Sequence, residues 1–190
     1  LIDGLKERQL LDQANIMLVS DHGMTPIYSD STIYLDDYID MGEVTMIDWT
    51  PVGSMVPREN EANVLSKLKN AHTKMNAYKK GEAPKRYHYR NHRRIQPITL
   101  VAKEHWSIAT HKNDALDDHE RGTTGGAHGY DQTYPSMRGI FVGHGPGFKS
   151  NFKGPGISNI HLYEMMCRLL EIKPVNNDGN IDSVMMFLNN

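Results

Sequence analysis

The sequence of 190 residues has one cysteine, Cys167. A single thiol excludes an internal disulfide framework and any Cys-x-x-Cys zinc or redox pair. There is no surplus of positive charge either: 21 Lys+Arg stand against 23 Asp+Glu, a formal charge of -2. Without a cationic excess to neutralise a phosphate backbone over a wide face, no stable nucleic-acid complex is expected. No apolar run approaches the 18 or more residues of a membrane span, so membrane association is not expected from this chain. Asp3, Lys6, Glu7 and Arg8 break any signal-peptide core in the first ten residues. No Asn-x-Ser/Thr acceptor, internal repeat or low-complexity tract occurs. With 38% hydrophobic and 23% charged content, disorder, collagen and coiled coil are excluded. Histidine, by contrast, is plentiful, at ten residues.

The chain opens inside an apolar pattern. Leu1, Ile2, Leu5, Leu10 and Leu11 lie at helical spacing with no cap and no initiator Met, so residues 1–190 are expected to be the C-terminal portion of a larger domain. Asn15 to Ser20 is a short apolar run of the kind buried on both faces of a parallel sheet, and it stops at Asp21-His-Gly-Met24. Extended segments are expected at Ile33 to Ile39 and Val44 to Val56, the second interrupted at Pro51. Val64, Leu65, Leu68, Ala71 and Met75 predict an amphipathic helix over Asn63 to Tyr78. Short strands are expected at Arg86 to Tyr89 and Ile95 to Ala109 around a basic turn, Arg90 to Arg94. His111 to Gly126 is polar, acidic (Asp114, Asp117, Asp118, Glu120) and glycine-terminated, which predicts a loop. A strand at Arg138 to Gly143 and a helix at Ile157 to Ile172, capped by Ser158 or Asn159 and followed by Pro174, complete the order. That order favours an α/β fold.

Two segments carry chemistry. At Asp21-His22 an acid and an imidazole end a strand, where both can turn toward one ion, and Gly23 lets the backbone turn. A bare Asp-His-Gly tripeptide is more often an N-cap Asp followed by a surface His. His128 lies between Gly125-Gly-Ala and Gly129, on backbone able to approach a ligand closely. Asp131, three residues on, is placed either to accept a hydrogen bond from its ring or to form an Asx turn. The other histidines are expected to be surface or half-buried residues. The cluster Arg86 to Arg94 reads as a solvated basic turn. The methionines read as helix core, and Asn176 to Asn180 as a turn without the carboxylate of a calcium loop.

Taken in order, these motifs are similar to those of a known family. Ile16-Met-Leu-Val-Ser-Asp-His-Gly-Met24, then Gly126-Ala-His-Gly-Tyr-Asp131, then Ser136-Met-Arg-Gly-Ile-Phe-Val-Gly-His-Gly-Pro-Gly-Phe148, resemble the ectonucleotide pyrophosphatase/phosphodiesterase family. Tyr163 to Leu170 and Pro174 to Gly179 resemble its closing segment. Gln132 stands where that family usually has Asn, and the family's nucleophile segment is absent.

The resemblance implies an alkaline-phosphatase-like α/β fold, a central mostly parallel sheet flanked by helices, and two zinc ions. Asp21 and His22 would bind the zinc nearer the nucleophile and His128 the other. The remaining ligands and a Thr or Ser nucleophile would come from an upstream half of the same domain. The implied activity is hydrolysis of nucleotide pyrophosphate or phosphodiester bonds through a covalent nucleotidyl-enzyme, releasing nucleoside 5'-monophosphates. Two ions about 3.5–4 Å apart can hold the attacking and leaving oxygens of such a displacement. A choline-phosphate or lysophospholipid phosphodiesterase is the alternative within the family. Outside hydrolysis of diesters stand a phosphomutase or sulfatase of the same superfamily and a non-catalytic surface interaction domain. A secreted or cell-surface location follows from the resemblance alone.

Overall fold

The computed structural model describes residues 1–116 and 125–189, the side chains of 114–116 excepted. In chain order its elements are α1 (Ile2–Glu7), β1 (Ile16–Val19), β2 (Thr25–Ile27), β3 (Thr32–Tyr34), β4 (Val44–Asp48), β5 (Val52–Pro57) and α2 (Glu61–Leu68). Then follow β6 (Met75–Lys79), β7 (Ile98–Ala102), β8 (Ser107–Ala109), α3 (His111–Leu116), β9 (Gly125–Ala127), β10 (Phe141–His144) and α4 (Leu162–Leu169). They fall into two compact units, one of residues 1–21 and 139–190, the other of residues 22–138.

In the first unit β1 pairs antiparallel with β10, Ile16 opposite His144 and Leu18 opposite Val142. The ladder continues past the strand: Ser20 N–H donates to Ile140 O at 3.1 Å, and Ile140 N–H donates to Ser20 Oγ at 2.8 Å. The chain is therefore held straight up to Asp21. β1 is not buried on both faces as its composition predicts; Leu18 is 56% and Val142 53% exposed. A two-stranded ladder covers one side of each strand only, whatever the hydropathy of the other. The unit's core is Phe148, Met165, Val184 and Leu188, with Phe141 and Phe187 packed edge to face beside it. The helix expected over Ile157 to Ile172 is shorter: a 3-10 turn at Asn159–His161 precedes α4, and Glu171 at φ 55 ends it. Ser158 caps that turn without a side-chain hydrogen bond.

The second unit is organised on a four-stranded antiparallel sheet, β4-β5-β7-β6. Ile98, Leu100 and Ala102 of β7 point to one face with Met55, Met75 and Ala77, and meet Val64, Leu65 and Leu68 of α2 in the main core. Asn60 caps α2 by accepting from Asn63 N–H at 3.0 Å. Here the predicted long helix fails. Lys69 is extended, Asn70 has φ 64, and Met75 to Lys79 form a strand on β7. Met75 and Ala77 are buried in alternation, a period of two that the coincidental helical spacing of Met75 from Val64 and Leu68 conceals. Arg86 to Tyr89 is likewise no strand; Lys85–Tyr87 is a 3-10 turn, and His88 at φ 50 cannot continue an extended chain. Ile95 to Ala109 contains two separate strands, β7 and β8, and the segment from Ile33 to Ile39 passes from β3 into a 3-10 turn at Leu35–Asp37. The first six residues of the expected loop at His111 to Gly126 are α3; Asp117, Asp118, His119 and Glu120 lie outside the described residues.

The α/β class is that of the structure, but the pairing is mixed rather than mostly parallel. Among the described residues β3 with β8 is the one parallel pair. The link from β4 to β5, Trp49 to Pro51, is far too short for the crossover a parallel pair requires, so the two form a hairpin.

Candidate metal centre

His22 lies three residues before β2, and His128 directly follows β9. These two short strands pair antiparallel, Thr25 opposite Ala127, so the residue segments leading into one and out of the other emerge at the same end. The two imidazoles meet there. Their rings stack with centroids 3.6 Å apart and planes 12° from parallel. His22 Nδ1 is 2.7 Å from Gly23 O. A carbonyl can only accept, so Nδ1 carries a hydrogen, and in a neutral ring the lone pair is then on Nε2.

The turn between His22 and β2 admits only glycine at residue 23. A Cβ on Gly23 would lie 2.0 Å from Ser136 O and 2.6 Å from Arg138 O, both backbone atoms, while Gly23 N–H donates to Met137 O at 3.0 Å. β2 is gripped from another side by His105, whose Nδ1 donates to Pro26 O at 2.8 Å and lies 3.1 Å from the hydroxyl of buried Thr25. Thr25 and His105 are 80 residues apart, and no sequence signal joins them. They are the residues of this region that pattern reasoning missed. Asp21 is exposed, at the end of the extended β1 ladder and one peptide bond from His22.

Asp131 takes the Asx-turn role. Its Oδ1 accepts from Thr133 N–H at 3.0 Å and Thr133 Oγ1 at 2.9 Å, and its carboxylate receives a two-point contact from the Arg86 guanidinium and a bond from Tyr87 OH at 2.9 Å. Arg86 first of all, then the Thr133 and Tyr87 bonds, hold this carboxyl well below the usual range against the opposing effect of burial. Among the described residues no hydrogen bond joins it to His128. The neighbouring Tyr130 is buried, its hydroxyl donating to Trp106 O at 3.0 Å; burial, then the charge of Glu104, push it up to about 12. Three other histidines serve locally. His111 bonds Asp37 at 2.9 Å and stacks on Tyr34, His161 accepts from Asn180 N–H, and His72 lies against Trp106.

Two imidazoles in contact, one with its tautomer set by a backbone carbonyl, and a carboxylate on the residue next to it are a donor set suited to zinc. Among the described residues, no group of three or more His, Cys, Asp or Glu side chains is assembled that could hold an ion.

The profile of the type I phosphodiesterase / nucleotide pyrophosphatase family matches residues 1–131. The chain is 40% identical over 179 residues to the bis(5'-adenosyl)-triphosphatase ENPP4 of Bos taurus, covering 94% of this chain and 38% of that protein. It is 37% identical over 190 residues to human ectonucleotide pyrophosphatase/phosphodiesterase family member 5, covering 100% of this chain and 38% of that one. A venom phosphodiesterase of Macrovipera lebetinus is 34% identical over 199 residues. The solved structure of human ENPP5 superposes with a TM-score of 0.91 at 37% identity, over all of this chain and 49% of that one. The chain thus spans well under half the length of the relatives it matches in sequence, and about half of the solved structure. No helix among the described residues is long and apolar enough to cross a membrane. The matched profile and the shared alkaline-phosphatase-like α/β fold place this chain in the type I phosphodiesterase / nucleotide pyrophosphatase family.

Proposed function

We propose that these residues are part of a zinc-dependent phosphodiesterase that cleaves nucleotide pyrophosphate or phosphodiester bonds and releases nucleoside 5'-monophosphates. The observation that carries this reading is the contact of the His22 and His128 rings, with Asp21 adjoining His22, in a chain of this family. Asp21 and His22 would hold one zinc and His128 another. When bound, the ions supply charge neutralisation at phosphorus and lower the pKa of an attacking oxygen.

The chain's own contribution is placement. The β2–β9 ladder keeps the two rings together, Gly23 brings the His22 backbone against the carbonyls of Ser136 and Arg138, and the Gly23 carbonyl holds His22 Nδ1. The nucleophile, a Thr or Ser, and the other zinc ligands belong to an upstream half of the same domain in this proposal. A solved murine ENPP5, an inactive threonine-to-alanine variant in complex with AMP, supports both the residue type and the product class. The names of the ectonucleotide and venom relatives support a secreted or cell-surface location.

The test is made on the full-length protein. It should carry two zinc ions per chain by elemental analysis and hydrolyse bis(5'-adenosyl) triphosphate to AMP and ADP. Activity should vanish on chelation and return with zinc. Full activity in a metal-free preparation would sink the proposal.

A further inference from the structure

The sheet β4-β5-β7-β6 has a second face, away from the main core. Val52 pairs with Val101 and Ser54 with Thr99, so these side chains point together to that side. Between this face and the segments that roof it lies a cavity of about 220 Å³, floored by Val52, Thr99 and Val101 and walled by Tyr87, Tyr89 and Tyr130. Its roof is already fixed: Tyr87 OH bonds Asp131, Tyr130 OH bonds Trp106 O, and Gln132 Nε2 bonds Arg86 O at 2.5 Å. What is left unused faces inward. Thr99 is 4% exposed, and among the described residues nothing hydrogen-bonds its hydroxyl. Since among the described residues no fully enclosed side-chain polar atom lacks a partner, that hydroxyl is reached through the cavity.

We propose that this cavity binds a flat, uncharged aromatic heterocycle of nucleobase type, stacked against tyrosine and hydrogen-bonded by Thr99. Size agrees, since a cavity of about 150 Å³ accepts benzene and this one has room for a fused ring system. Charge agrees as well, because the one carboxylate on the wall, Asp131, is neutralised by Arg86. Aromatic walls with few convergent polar groups are the ordinary composition of such a pocket. Gly129, at φ 97, also lines the cavity and is the residue after His128. A ring held here is therefore placed as the base of the departing nucleoside of a dinucleotide substrate; that assignment, unlike the pocket itself, rests on the proposed hydrolytic function.

The test uses the full-length protein and 2-azidoadenosine as photolabel. Label is expected on residues 83–101 or 129–132, and it should fall roughly tenfold in Thr99→Val and in Tyr89→Ala at unchanged melting temperature. Tyr89 is a partly exposed wall residue, so its truncation keeps the test alive if Thr99→Val folds poorly. The same variants should raise KM for bis(5'-adenosyl) triphosphate by a similar factor with kcat unchanged, and leave KM for ATP, whose leaving group has no base, unaltered. Label only elsewhere, or undiminished in both variants, overturns the pocket. Label that depends on Thr99 and Tyr89 with an unshifted KM supports a site for free nucleoside and overturns the leaving-group assignment. Such label in a protein without hydrolytic activity supports the pocket and removes the proposed function instead.

Discussion

Individual side chains make the sharpest demands. A carboxylate or imidazole that holds an ion cannot be replaced by an amide of the same shape without losing charge or a strong lone pair. In the full-length protein, Asp21→Asn and His128→Gln are each expected to lower the hydrolysis of the nitrophenyl ester of thymidine monophosphate by about 100-fold or more, with zinc content reduced on elemental analysis. Retained activity with full zinc occupancy would show these residues to be bystanders. Asp131 makes a different demand. Its carboxyl is held low in the folded state, so its stabilising contribution is fully present above the ordinary carboxylate value of about 4 and is lost as pH falls below it toward the folded-state value. Asp131→Asn is therefore expected to lower the melting temperature at pH 7 and to converge on the wild type as the pH is taken well below 4. A melting difference that stays constant with pH would rule out the Arg86 pair as its source.

At the scale of elements, the proposed metal centre depends on two three-residue strands. β2 and β9 are too short to be stable by their own hydrogen bonds. Their position is set by the backbone contact at Gly23 and by the grip of His105 on Thr25 and Pro26. Gly23→Ala would force the chain off the carbonyls of Ser136 and Arg138, which cannot rotate away as a side chain could. Its expected cost is about 2 kcal/mol or more in denaturant unfolding, together with weakened zinc retention as His22 shifts. If Gly23→Ala melts and binds zinc like the wild type, the turn is not the constraint described. The same scale explains where pattern reading failed. Met75 satisfies helical spacing from Leu68 as well as strand alternation with Ala77, and the pairing with β7 decides between them. Arg86 to Tyr89 has the composition of a strand, yet Arg86 and Tyr87 are turned toward Asp131, 45 and 44 residues away, and the backbone follows.

For the whole molecule, the notable surface is the ladder of β1 and β10. Leu18, Val19, Ile140 and Val142 are all exposed there, on a sheet of only two strands with open edges. Apolar strands in this condition recruit neighbours or aggregate. Residues 1–190 expressed alone are expected to bind a hydrophobic dye and to melt without a cooperative transition, whereas the full-length protein melts cooperatively and binds little dye. A sharp, reversible melt of the isolated chain would show that its sheet needs no further strands.

The sequence by itself determined the α/β class, the family and the candidate donors Asp21, His22 and His128, because those depend on residue types in a fixed order along the chain. Only the tertiary structure decided that the His22 and His128 rings touch, that Asp131 serves Arg86 and a turn, and that Thr99 faces a cavity. Each of these joins residues far apart in the chain or chooses between two faces of a strand. Composition and periodicity describe the neighbourhood along the backbone and carry no such information.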